Sequence, residues 1–193
     1  MGTIEVHLAG QEQPLTIEIG GFESQIGNPT RFARVDSELV ALTGELATHL
    51  ERPASEWRSR KWATSKVLDI TRARISDGLG EVEIRREEGS WLRDGQKLTY
   101  GPATDLLYEL TGAEADGLEP AESFDPGEPQ VTVELVSDLG EPEVLTLYAA
   151  RGDQVPARSS SREGTLFLLA PEAGQGVTGK IEALRAAELT DGS

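Results

Sequence analysis

Apolar residues in this chain recur at every second position, in runs of three to five bounded by glycine, proline and asparagine. Period two puts side chains alternately on the two faces of a strand, so each run predicts a half-buried β-strand, not a helix. Ile4, Val6 and Leu8 alternate with Glu5 and His7, and Leu15, Ile17 and Ile19 with Thr16 and Glu18. Leu68 and Ile70 share a face, as do Val82 and Ile84, with Asp77-Gly78 in the turn between them. Val131, Val133 and Leu135 alternate with Thr132 and Glu134, and Val144 to Tyr148 follows as their partner strand. Arg31–Val35, Glu38–Leu42, a short strand at Trp91, Pro156–Ser159 and Thr165–Leu169 complete the set. Consecutive short strands joined by turn residues predict antiparallel hairpins.

Three helices are predicted among them. Thr43 is a candidate N-cap before Leu46 and Leu50, which are spaced i, i+4. Gly101-Pro102 opens a helix with proline at its first position; Leu106, Leu107 and Leu110 form its apolar stripe, and Gly112 ends it. Lys180 to Leu189 closes the chain as a third. Gly20-Gly21 and Gly27-Asn28-Pro29 read as loop. Pro53 to Lys61 reads as a polar connection or a short helix.

These elements predict an α+β fold of antiparallel sheets, each covered on one face by helices. Residues 1–61 form a first module, 62–112 a central module with Trp91, and 130–193 a last module. Residues 113–129 hold six acidic residues, no basic ones and three prolines, and read as an extended linker or surface loop. The last module repeats the pattern of the first. The same 127 positions separate Ile4 from Val131 and Leu42 from Leu169. That spacing predicts two related halves from an internal duplication.

Composition narrows the chemistry. A net charge of −16 argues against nonspecific binding to nucleic acid or anionic membranes. With no cysteine there is no disulfide, zinc–thiolate site or thiol catalysis. No apolar run reaches the roughly 20 residues of a membrane span, so no direct membrane insertion is expected. His7 and His49, the two histidines, sit on predicted polar faces, so no metal or histidine-based site is expected. Gly174-Gln175-Gly176-Val177-Thr178-Gly179 fits a dinucleotide fingerprint. It starts several residues past its strand, and no second parallel strand follows, so no cofactor is assigned. Arg151-Gly152-Asp153 reads as ordinary turn chemistry. No catalytic residue stands out.

Charge is unevenly spread. Residues 52–97 carry 11 of the 18 basic residues against 8 of the 34 acidic ones. Arginines and lysines surround two tryptophans there, the composition of a protein or polysaccharide contact surface. Trp57, Arg58, Arg60 and Trp62 are the candidate contact residues. The alternatives are that the basic stretch pairs with the acidic flanks, and that both tryptophans are core.

The centre of the chain also resembles a known family. Val67-Leu68-Asp69-Ile70, then Gly78-Leu79-Gly80-Glu81-Val82-Glu83-Ile84-Arg85-Arg86 and Gly89-Ser90-Trp91-Leu92, then Pro102-Ala103-Thr104-Asp105-Leu106-Leu107, is similar to the bacterial domain-of-unknown-function family 4340. In that family a strand pair ends in an arginine and a G-x-W, before a helix that begins near an aspartate. Arg85 or Arg86, Gly89, Trp91 and Asp105 hold those places here. The resemblance implies a non-enzymatic extracytoplasmic module, accompanying ABC-type transporters of the gliding-motility kind and binding an envelope or transporter protein. Family members carry an N-terminal anchor; with one preceding this chain it would be extracytoplasmic, otherwise cytoplasmic. The competing expectation is a hydrolase that uses an acidic pair in a cleft between the two halves.

Overall fold

The computed structural model describes residues 2–7, 13–23, 30–35, 37–43, 58–123, 125–138 and 140–190. They fall into two compact units, Met1–Arg58 and Ser59–Ser193.

The first unit contains a four-stranded antiparallel meander: β1 (Gly2–Val6), β2 (Leu15–Glu23), β3 (Thr30–Val35) and β4 (Glu38–Thr43), in that spatial order. Ile17 is paired with both Ile4 and Val35, and Ile19 with Ala33. Ile19 and Ala33 are buried among the described residues of this unit. Gly20-Gly21, expected in a loop, lies inside β2 at a shift of register. A Cβ on Gly20 would stand 3.1 Å from the Phe32 carbonyl oxygen, so glycine lets the two backbones approach. The predicted helix after Thr43, His49 and Trp57 lie outside the described residues.

The second unit is one ten-stranded sheet with two helices, and every strand pair in it is antiparallel. Its first half is β5 (Ile70–Asp77), β6 (Gly80–Glu87), β7 (Ser90–Arg93), β8 (Gln96–Leu98), helix α1 (Pro102–Gly112) and β9 (Ala115–Pro120). The second half is β10 (Pro129–Ser137), β11 (Glu143–Tyr148), β12 (Val155–Ser159), β13 (Thr165–Leu169), helix α2 (Pro171–Ala186) and β14 (Leu189–Thr190). β5 and β10 meet at the centre, with Ile75 opposite Val133 and Ala73 opposite Leu135. The strand that follows each helix crosses over: β9 pairs with β13, and β14 with β8.

One apolar core unites the halves. Ile70, Ile75 and Ile84 from the first half pack with Val133, Leu135 and Leu145 from the second, and Leu106, Leu110, Ile181 and Leu184 of the helices join the same cluster. α1 and α2 also pack on each other. The architecture is thus mixed α and β with antiparallel sheets, as the alternation required.

Three expectations change. Residues 113–129 are not a linker: Ala115–Pro120 is the edge strand β9, and Ala115 is buried. Its acidic, glycine-containing sequence carries no period-two signal: backbone bonds pair it with β13, while Ala115 and Leu118 pack on the core. Gly117 lies against Leu168, and Pro120 ends the strand where an edge needs no further donor. Leu68 is not in a strand. The Asp69 N–H donates to the Lys66 carbonyl over 2.9 Å, closing a 3-10 turn that leaves Leu68 76 % exposed. Finally, Gly174 to Gly179 are helical, because α2 begins at Pro171 rather than near Lys180. A Cβ on Gly174 would sit 2.9 Å from Val155 Cγ2, so close packing, not a phosphate, explains that glycine.

Candidate functional site

The four residues singled out in sequence do not form one surface. Trp57 is outside the described residues. Arg58 and Arg60 are exposed, and the Arg60 carbonyl accepts the Ala115 N–H. Trp62 is fully buried, and its indole N–H donates to the Leu110 carbonyl at the end of α1. A tryptophan without accessible area cannot anchor a partner, so Trp62 is corrected from contact residue to core. Arg162, distant in sequence, packs over the same segment, its Nη1 donating to the Ser59 and Lys61 carbonyls.

Two other places hold functional potential, and they differ in kind. The first is Glu143, the first residue of β11, 4 % exposed. Thr64 and Ser65 donate to it through both backbone N–H and hydroxyl, with the Ser65 hydroxyl at 2.6 Å. Ser159 and Ser161 add hydroxyl donors at 2.7 and 2.6 Å. Burial pushes the Glu143 carboxyl up, but the hydroxyls of Ser161, Ser65 and Ser159 and the Thr64 N–H outweigh it and hold the pKa at about 2. The anion binds residues 64–65 to the ends of β11 and β12. With that pKa it is a weak base at neutral pH. Glu143 and Ser159 are the buried polar residues among those described, so no second buried carboxylate joins it.

The second place is a groove of about 430 Å³ in the same unit. The 3-10 turn at Val67–Asp69 supplies Val67 and Leu68 to one wall. The β6–β7 turn supplies Gly89, and the start of β7 supplies Ser90 and Trp91. Glu88 and Gly89, at φ 48° and 80°, form a two-residue turn of type I′, which needs positive φ at both positions. Tyr100, in the β8–α1 connection, is 98 % exposed, and Tyr108 on α1 is 59 % exposed. Tyr108 is off the Leu106–Leu107–Leu110 stripe and so faces away from the core. Trp91 is half-buried: it packs against the core and also lines the groove. The Arg86 guanidinium donates to the Leu68 carbonyl at 3.3 Å, tying two walls together.

Exposed large apolar side chains among the described residues are Leu39, Leu68, Leu79, Tyr100, Tyr108 and Leu189, and three of these six line this groove. Scattered exposed apolar residues are ordinary, whereas a cluster around a concavity marks a contact site.

Sequence reasoning missed both places, although signals existed. Ser159-Ser160-Ser161 and Thr64-Ser65 are hydroxyl runs that need an acceptor once buried. Tyr108 lies on the polar side of a helix whose apolar stripe was already assigned.

No group of three or more His, Asp or Glu among the described residues is placed to hold a metal, and none of their helices is long and apolar enough to cross a membrane. No family model, curated protein or solved structure matches the chain.

Proposed function

We propose that this chain is a non-enzymatic interaction module whose contact surface is the groove lined by Leu68, Arg86, Trp91, Lys97, Tyr100 and Tyr108. The observation that carries the reading is the exposure of Tyr100, Tyr108 and Leu68 around one concavity: aromatic side chains held open to water by rigid turns are the material of binding hot spots. Glu143, the buried carboxylate, is saturated with donors, and the acids that line the same pocket, Asp69 and Glu141, are exposed, which disfavours the hydrolase alternative.

The family resemblance fits the same place. Arg86, Gly89 and Trp91, three of the residues that make the chain similar to family 4340, line the groove. On that basis the module is extracytoplasmic and accompanies an ABC-type transporter, with an envelope or transporter protein as its partner. The internal duplication belongs to this proposal too. β1–β4 and β10–β13 are both meanders in consecutive order, and β5–β8 makes a third, followed like β10–β13 by a helix that begins with proline.

The test is photocrosslinking in the native host with benzoylphenylalanine at position 100, and at position 79 as an exposed control outside the groove. An adduct with an envelope or transporter component is expected from position 100 alone. The proposal fails if neither position gives an adduct while purified protein turns over an esterase, phosphatase or glycosidase substrate through a single mutable carboxylate.

A further inference from the structure

The charges around the groove identify its occupant. Resting on the reading of the groove as a contact surface, we infer that it takes an acidic peptide segment bearing apolar side chains. Arg86 and Lys97 are the charged residues that line it, and both are exposed. Neither forms a salt bridge among the described residues: the guanidinium of Arg86 reaches only a carbonyl. Elsewhere Arg74 faces Glu81, Glu83 and Glu134, Arg185 faces Asp77, and Lys180 faces Asp105. Two cations without carboxylate partners, set among Leu68, Tyr100 and Tyr108, complement a ligand that supplies carboxylates and apolar groups together.

Other polymers fit less well. Sugar hydroxyls are best met by planar amides and carboxylates, and the groove is lined by no Asn, Gln, Asp or Glu. A nucleic acid would bring its phosphates against a chain of net charge −16. A peptide brings a few carboxylates without a continuous line of charge, so local attraction to Arg86 and Lys97 exceeds the long-range repulsion, which salt screens.

The experiment is selection of a random twelve-residue peptide display library on the full chain, with Arg86→Glu/Lys97→Glu and Tyr100→Ala selected in parallel. All three positions are exposed, and near-ultraviolet circular dichroism verifies that the variants fold. Wild type should enrich peptides that combine Asp or Glu with aliphatic or aromatic residues, and their recovery should fall about tenfold or more on either variant. Enrichment of basic or uncharged peptides that still depend on Tyr100 would overturn the acidic occupant and leave the contact surface standing. No enrichment, or enrichment indifferent to both variants, would remove the peptide and the surface together. Sedimentation of wild type should give a monomer; a dimer dispersed by Arg86→Glu/Lys97→Glu would assign the groove to a second copy of the chain instead.

Discussion

The Glu143 nest and the Trp91 groove belong to one sheet-and-helix unit and represent opposite treatments of polar and apolar groups. At Glu143 a charge is taken out of water and every donor around it points inward. At the groove, aromatic and aliphatic groups are left in water, and Arg86 and Lys97 form no salt bridge among the described residues. The first arrangement uses its interactions within the fold. The second leaves them for something outside. A perturbed pKa therefore does not by itself mark the functional place: the carboxylate held at about 2 serves as a clasp within the fold.

Stability measurements separate the two directly. The largest effect is expected at the nest. Glu143→Ala removes the acceptor from four hydroxyls and two N–H groups, and should lower unfolding free energy in denaturant by about 3 kcal/mol or more. A loss below about 1 kcal/mol would mean that water replaces the carboxylate and that the nest is not a clasp.

The same group predicts an acid dependence. Its folded pKa of about 2 lies below the ordinary value of 4.5, so its contribution is fully present above pH 4.5 and is lost as pH falls towards 2. The displacement corresponds to up to about 3 kcal/mol. Denaturation midpoints should drop across that window in wild type and drop less in Glu143→Gln. Parallel curves for the two proteins would assign the acid sensitivity to other carboxylates.

At the groove the effects on stability should be small and graded by burial. Trp91→Ala, half-buried, should cost about 1–3 kcal/mol, below the 3–5 typical of a fully buried aromatic. Tyr100→Ala should change stability by under about 0.5 kcal/mol while removing peptide recovery. A Tyr100 substitution that destabilises as much as Trp91→Ala would make the tyrosine a packing residue and erase the contrast.

Strand-level structure was legible wherever alternation coincided with burial. Val131, Val133 and Leu135 point into the core as their spacing required, and the Leu106–Leu107–Leu110 stripe does the same on α1. What alternation does not encode was lost. β9 is held at an edge by backbone bonds, so its acidic side chains look like a linker. Pro171 marked the start of α2, but three glycines after it masked a helix whose closeness to β12 requires at least Gly174. The composition signal, tryptophan among arginines, pointed elsewhere: Arg58, Arg60 and Trp62 do not line the groove. Composition cannot tell Trp62, folded inward onto Leu110, from Tyr100, folded outward.

The crossing of β9 and β14 bears on how the chain comes to be folded at all. During synthesis β9 leaves the ribosome before any of β13 exists, so its edge stays unpaired until most of the second half has followed. β8 waits still longer, since its partner β14 follows the rest of the second half. Neither half can therefore complete its hydrogen bonding alone, and a nascent chain arrested between them displays an open strand edge to its neighbours. The two edge pairings thus tie each half's completion to strands that the other half supplies.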